Sequence, residues 1–170
     1  LFSERLYLAF NRNHKLNVRI ARFHNIFGPM GTWIGGKEKA PAAMLRKAAE
    51  IENGGKFEVW GDGQQTRSFL FIDECIDAVL KLMASDFKGP VNIGSEEMIT
   101  INGLAQMAIN ISRKDGSYFN LDGKEFKAKY GFKCPVGVRG RNSDNKLFKE
   151  KIGWTVSDSL LKGMTTTYAW

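Results

Sequence analysis

Arg22-Phe-His-Asn-Ile-Phe-Gly-Pro29, followed by Lys39-Ala-Pro-Ala-Ala43, is the stretch whose reading decides the fold. Residues Asn17 to Phe23 are apolar and β-branched enough for a strand, which runs straight into a Gly-Pro loop. The loop carries the Asn25 amide, a Gly35-Gly36 turn and Lys39, and a helix is expected from Ala40 to Glu52 with Pro41 tolerated in its first turn. A strand that hands polar groups to a loop and then to a helix is how an α/β protein presents a ligand site at the carboxyl end of its strands. A loop as long as residues 24–39 is more often functional than idle.

Strand and helix patterns alternate on either side of this stretch. Leu1 to Asn11 reads as a helix with Phe2, Leu6, Ala9 and Phe10 on one face. Lys56 to Trp60 is a predicted strand, Gly61-Asp-Gly63 a turn of the hairpin kind, and Thr66 to Ile72 a second strand with Phe69 and Phe71 in the core. Asp73 is expected to cap a helix to about Ser85 that buries Ile76, Val79, Leu80 and Met83. Pro90 to Ile93 reads as a strand, Thr100 to Ile111 as a helix, Lys146 to Lys151 as a short helix and Ser157 to Tyr168 as a final helix. Residues 112–136 show no clear period and read as an inserted or variable linker on the surface. The alternation argues an α/β fold with some parallel pairing. No G-x-G-x-x-G follows a strand, so a dinucleotide phosphate loop is not expected within these residues.

Composition narrows the classes. The chain has 170 residues, 43% of them hydrophobic, which is enough for a packed core. No apolar run approaches the roughly 20 residues that cross a bilayer. Leu1 is an unusual natural start, and the chain reads as cut from a longer protein. Two cysteines, Cys75 and Cys134, suggest a reducing compartment rather than a disulfide scaffold, hence a cytoplasmic protein. They form no metal-ligand spacing with His14 or His24, so no metal is expected. Asn110-Ile-Ser112 fits a glycosylation sequon but has no secretion signal beside it. A net charge of +7 points to an anionic partner. Nucleic acid is disfavoured because no recognition motif accompanies the charge.

The candidate chemistry lies in four polar clusters at element edges: Asn25, Lys39 with Lys47, Gln65-Thr66-Arg67, and Arg139-Gly-Arg141. Taken singly, each is more often plain surface. Together, cations and amides of this kind suit a diphosphate, which arginine can grip through two oxygens. Each charge-assisted hydrogen bond contributes roughly 1.5–3 kcal/mol. Several of them reach about 8 kcal/mol, micromolar affinity. Trp60 is read either as a nucleobase platform or as hairpin packing, His24 as a polar edge, Asp62 as a turn former, and Cys75 as a buried helix residue.

These motifs carry a resemblance. Arg22 to Pro29, Trp60-Gly-Asp-Gly-Gln-Gln-Thr-Arg-Ser-Phe69, Phe71-Ile-Asp-Glu-Cys75, Val91-Asn-Ile-Gly-Ser95 and Gly140-Arg-Asn-Ser-Asp144 resemble the second half of extended short-chain dehydrogenase/reductases, the NAD-dependent epimerase/dehydratase family, acting on nucleotide sugars. Gly31 to Ala43 and Gly137 to Asn145 are similar to the branch that epimerises GDP-mannose. The resemblance implies the C-terminal part of a Rossmann-like enzyme with its small nucleotide-sugar domain, the last Rossmann elements falling at about residues 1–25 and 68–95. It implies NAD, held mainly by an absent N-terminal half, and conversion of GDP-mannose to GDP-L-galactose through a 4-ketone. The ketone acidifies the hydrogens on carbons 3 and 5, and a lysine and a cysteine exchange them on opposite faces. Lys39 matches the acid/base lysine, and its amine would have to be depressed by burial and neighbouring cations, for which Lys47 and Arg67 are placed. Asn25, Glu38, Lys39, Ala40, Lys47, Gln65, Thr66, Arg67 and Arg141 match positions that hold the GDP-sugar. A homodimer, with no nucleic acid or membrane partner, is implied as well. The departures are that the catalytic Tyr-x-x-x-Lys, the acid/base cysteine and the glycine-rich loop are absent. The remaining alternatives are a GDP-sugar-binding module without chemistry and a related epimerase or dehydratase on another nucleotide sugar.

Overall fold

The computed structural model describes residues 1–170. Along the chain the elements are α1 (Phe2–His14), β1 (Ile20–Phe23), β2 (Ile26–Phe27), α2 (Ala40–Glu50), β3 (Gly55–Trp60), β4 (Thr66–Ser68), β5 (Leu70–Phe71) and α3 (Ile72–Ala84). They continue with β6 (Pro90–Ile93), β7 (Met98–Thr100), α4 (Ile101–Ser112), β8 (Gly116–Leu121), α5 (Gly123–Tyr130), β9 (Gly140–Arg141), α6 (Lys146–Ile152) and α7 (Leu160–Ala169). The fold is α/β. Three strand pairs are parallel: β1 with β6, β2 with β5, and β3 with β8. The fourth sheet has the order β7-β4-β9, antiparallel on one side and parallel on the other. No helix is long and apolar enough to cross a membrane.

Local chemistry explains the elements that were legible. Thr100 caps α4 by accepting a hydrogen bond from the Gly103 amide, and Arg113 closes the helix in a left-handed conformation at φ 57°. Pro41 sits buried in the first turn of α2, where its missing N–H leaves no bond unmade. In β3 the alternation is clean: Phe57 and Val59 are buried, while Lys56, Glu58 and Trp60 turn outward. One core joins α2, α4, α7 and β3 around Met44, Leu45, Leu104, Ala108 and Met164. A second joins α3 to β6 and to Phe148 and Trp154.

Several expectations are corrected. The Gly61-Asp-Gly63 turn forms, with both glycines at positive φ and the Asp62 carboxylate accepting from the Gln64 amide at 3.0 Å. It closes no hairpin, because the place beside β3 is taken by β8, in parallel register from Gly55–Gly116 to Trp60–Leu121. The single strand expected from Thr66 to Ile72 is broken at Phe69. Asn25 causes the switch: its side-chain amide donates to the Ser68 carbonyl at 3.0 Å and its own carbonyl accepts from the Leu70 amide at 3.0 Å. The chain thereby passes from the β7-β4-β9 sheet to a pairing with β2. The first strand is also shorter than expected, starting at Ile20.

The inward face of α3 is the opposite of the one expected. Glu74, Cys75, Ala78 and Leu82 are buried, whereas Ile76, Leu80 and Met83 are 50%, 58% and 63% exposed. Both stripes are apolar, so periodicity alone could not choose. The choice is made by small residues that let the helix approach β6, and by Glu74, whose carboxylate accepts from the Ser157 and Asp158 amides at 3.1 Å each. Asp73 lies in the first turn and does not cap the helix; the N-cap is Phe71. The apolar face read in α1 is open, with no residue of the helix buried.

Residues 116–130, read as lacking a period, form β8 and α5. Asp122 and Glu125 make a reciprocal capping box, and Gly131 ends the helix at φ 80°. Glu58 fastens this unit to β3. Its carboxylate accepts from Lys129 at 2.6 Å, from the Trp60 indole at 3.0 Å and from the Tyr130 hydroxyl. Burial pushes the Glu58 carboxyl up, but the bonds from Lys129, Tyr130 and Trp60 outweigh it and hold the value at about 2. The folded value thus lies below the unfolded one near 4.5. Its contribution to stability is full above that unfolded value and is lost as pH falls towards about 2. In Glu58→Gln, the fall in Tm between those two pH values is expected to be shallower than in the parent. Identical acid profiles would show that the clamp contributes nothing.

Candidate functional site

A cavity of about 340 Å³ opens where the 24–39 loop, α2 and β4 meet. Asn25, Glu38, Lys39, Ala40, Lys47, Gln65 and Arg67, all expected in the site, line it together. Thr66 and Arg141 do not line it. Thr66 alternates with Arg67 along β4, so its side chain leaves on the other face, toward Gly140. Arg141 is exposed, and its position on β9 is in register with Arg67 on β4. The two arginines therefore share one face of neighbouring parallel strands.

Each lining group is placed by local structure. Asn25 takes a left-handed conformation at φ 48°, which lets both its backbone and its amide nitrogen bridge to the β4–β5 crossing. Lys39 is the N-cap residue of α2 with an extended backbone and makes no capping bond, so its ammonium is free. It is exposed. The burial that a proton-exchanging lysine needs is therefore not supplied to Lys39 by this chain. It is supplied to Lys47 instead. Lys47 donates to the Glu58 carbonyl at 2.8 Å and lies 5.2 Å from the centre of the Trp60 ring. Burial lowers its pKa, with the charges of Arg46 and Lys129 acting in the same direction. Arg67 donates to the Thr66 carbonyl at 2.7 Å and to the Val136 carbonyl at 3.3 Å, and burial followed by the Arg141 charge lowers its pKa.

The electrostatic balance is one-sided. Lys39, Arg46, Lys47 and Arg67 line the cavity against the single carboxylate of Glu38, which pairs with Arg46 at 3.6 Å. The buried side-chain atoms left without a hydrogen-bond partner are His24 Nε2, Glu38 Oε2 and Gln65 Oε1. Two belong to residues lining the cavity, and the third lies within the field of Lys39, Arg67 and Arg141. An unpaired buried polar atom costs about 1–3 kcal/mol. The cations of the hollow suit an anionic ligand, and the two orphaned oxygens in its wall suit hydroxyl or amine donors on that ligand.

Sequence reasoning missed part of this wall. Arg46 lay beside Lys47 and could have been found as the helical neighbour of Glu50, to which it pairs at 2.8 Å. Pro135 and Val136 close one side, and no local signal placed them there. Trp60 packs edge-on against Phe126, as its packing reading has it, and it also lines the cavity. His24, read as a polar edge, is half-buried, and burial followed by the charges of Arg141, Arg67 and Lys39 lowers its pKa. Cys75 is buried as read, and Cys134 is buried beside Leu121 and Phe126.

An α/β scaffold with a cation-lined hollow at a strand-to-helix loop defines a class of proteins that hold anionic cofactors or substrates. The chain belongs to the NAD dependent epimerase/dehydratase family, whose family model matches residues 1–94. It is 49% identical over 170 residues to GDP-mannose 3,5-epimerase of Arabidopsis thaliana, covering all of this chain and 42% of that protein. It is 27% identical over 162 residues to UDP-glucuronic acid decarboxylase 6 of the same plant, covering 95% of this chain and 43% of that one. The chain thus spans less than half the length of these curated relatives. Among solved structures, UDP-N-acetylglucosamine 4-epimerase from Methanobrevibacter ruminantium, in complex with UDP-N-acetylmuramic acid, superposes with a TM-score of 0.82 at 21% identity. That match covers 98% of this chain and 50% of the other, and it supports the fold.

The family description names NAD. No glycine-rich phosphate loop follows a strand. The loop glycine Gly28 is already filled, since a Cβ there would meet Ile72 at 2.3 Å. Its close approach is to α3, not to a ligand.

Proposed function

We propose that this chain is the substrate-holding portion of a nucleotide-sugar epimerase, with GDP-mannose as substrate and GDP-L-galactose as product. The observation that carries the reading is the cavity in which Lys39, Lys47 and Arg67 surround the orphaned Gln65 and Glu38 oxygens. Identity of 49% to GDP-mannose 3,5-epimerase supports the choice of sugar nucleotide. Arg67 and Arg141, in register on β4 and β9, suit a diphosphate, and the Lys47–Trp60 wall suits the remainder of the nucleotide. Asn25, Thr66 and Ala40 shape the surrounding backbone.

Lys39 is the acid/base group in this proposal, with the bound sugar and the protein outside these residues supplying the burial that its exposed amine lacks here. Its neutral amine takes a proton from a carbon beside a carbonyl of the bound hexose, and the ammonium returns a proton to that carbon. NAD supplies hydride chemistry when bound, and we place its site mainly in sequence outside these residues. Residues 1–25 and 68–95 are read as the last Rossmann elements, and the 112–136 stretch as a family-variable segment. A homodimer follows from the resemblance alone, and a cytoplasmic location from the two unpaired cysteines.

The test is isotope exchange. The full-length protein incubated with GDP-mannose in D₂O is expected to place deuterium at carbons 3 and 5. Exchange at neither carbon sinks the reading. The 170-residue chain alone, supplied with NAD, is expected to show no turnover, and measurable turnover would move the hydride site into this chain. Lys47→Met is expected to weaken GDP binding about tenfold, the scale of one charge-assisted hydrogen bond. Unchanged affinity by calorimetry would remove Lys47 from the binding set.

A further inference from the structure

Glu58 does not line the cavity, yet it holds two groups that do. It lies in β3 two residues before Trp60, so both side chains leave the strand on the same face. Its carboxylate accepts from the Trp60 indole N–H at 3.0 Å, and its backbone carbonyl accepts from the Lys47 ammonium at 2.8 Å. Trp60 and Lys47 both line the cavity, and the ammonium stands 5.2 Å from the centre of the indole ring. One residue thus sets the place of an aromatic and a cationic wall group that come from different elements, β3 and α2.

The carboxylate is itself held from α5. Lys129 donates to it at 2.6 Å, and the Tyr130 hydroxyl donates to the oxygen that receives the indole. The Glu58 side chain is 12% exposed, so these bonds form away from bulk water and count for more than a surface ion pair. Phe126 of the same helix lies 5.1 Å from Trp60 with the ring planes at 69°, and the Tyr130 ring lies 5.8 Å away. The indole is therefore fixed both at its nitrogen and at its ring, by groups none of which lines the cavity. A side chain that is already ordered loses little freedom when a ligand packs on it. An aromatic ring in the wall suits the π-face of a nucleobase, which a phosphate lacks.

We propose, on the reading of the cavity as a nucleotide site, that Glu58 is a positioning residue: with Lys129 and Tyr130 it holds Trp60 ready for the nucleobase and keeps Lys47 in place beside it. The nucleoside end of the ligand gains from this arrangement, and the diphosphate end does not. The unit formed by β8 and α5 thereby acts on nucleotide affinity from outside the site.

Calorimetric titrations with GDP and with inorganic pyrophosphate separate the two ends. Glu58→Ala removes the carboxylate and leaves the backbone carbonyl, so Lys47 keeps its anchor. It is expected to weaken GDP about tenfold and to leave pyrophosphate within about twofold of the parent. Glu58→Gln keeps an acceptor for the indole and is expected to recover most of the GDP affinity. Lys129→Met leaves the acceptor but loosens it, and GDP binding about threefold weaker is expected. The near-ultraviolet circular dichroism of Trp60, read as the difference between each protein and its Trp60→Phe counterpart, should fade in Glu58→Ala and return in Glu58→Gln. Unchanged GDP affinity in a folded Glu58→Ala overturns the proposal. So does an equal loss for both ligands, which marks Glu58 as a prop of the fold alone. Should Glu58→Ala not fold, Lys129→Met decides: weaker GDP with unaffected pyrophosphate upholds the positioning role, and any other pattern refutes it. A parent that binds GDP no better than pyrophosphate has no nucleoside wall, which overturns the proposal while the anion-binding reading stands. A parent that binds neither ligand removes the cavity reading and this proposal together.

Discussion

Lys39→Met, made in the full-length protein, is expected to slow proton exchange at carbons 3 and 5 by about 10²–10⁴-fold, the range in which a positioned acid/base group contributes. The substitution isolates chemistry from folding. Lys39 is exposed at the N-cap of α2 and makes no capping bond, so its loss leaves the helix start as it is. GDP binding should weaken only severalfold, since Lys47, Arg67 and Arg46 remain around the cavity. Lys39→Arg makes the comparison sharper. It keeps the positive charge but cannot give up a proton near neutral pH, so exchange should stay slow while binding returns. Deuterium content by mass spectrometry and GDP affinity by calorimetry read the two effects separately. Exchange at the parent rate in either variant would remove Lys39 from the chemistry.

Phe126→Ala is expected to destabilise the protein by about 3–5 kcal/mol, the usual loss for a buried aromatic ring. Phe126 is fully buried and packs with Leu121 and Cys134. Its ring centre lies 5.1 Å from Trp60, 4.6 Å from Tyr130 and 5.3 Å from Phe132. The ring thus joins α5 to the end of β3 and to the segment that carries Pro135 and Val136. A drop in Tm on the order of 10 °C corresponds to that loss for a chain of this size. Ligand affinity should fall with it, because Trp60 and Val136 are both walls of the cavity. A melting temperature within about two degrees of the parent would show that the surrounding rings close the gap.

That residue lies in the part of the chain least legible beforehand. β8 pairs with β3 from far away in sequence, and its six residues bury only Leu121, so no alternation marked it. The Asp122–Glu125 capping box was a readable signal for α5 and stood alone among lysines and glycines. By contrast, α2 and α4 announced themselves through Pro41 and Thr100, which act within their own first turns. The face of α3 was misread because two apolar stripes compete, and tertiary contacts decide between them. The site divides in the same way. Lys47, Gln65 and Arg67 fall in short local motifs and meet at one cavity. Pro135 and Val136 arrive through folding of the distant segment. The unsatisfied His24 nitrogen is a property of packing, which no motif records.

The central claim is that the hollow between the 24–39 loop, α2 and β4 holds a nucleoside diphosphate sugar. Calorimetric titration of the protein with GDP-mannose, beside Arg67→Leu, tests it most directly. The account predicts one site of micromolar affinity in the parent, as several charge-assisted bonds imply, and a loss of at least tenfold in Arg67→Leu. Absence of binding at millimolar ligand, or binding indifferent to Arg67, would contradict it.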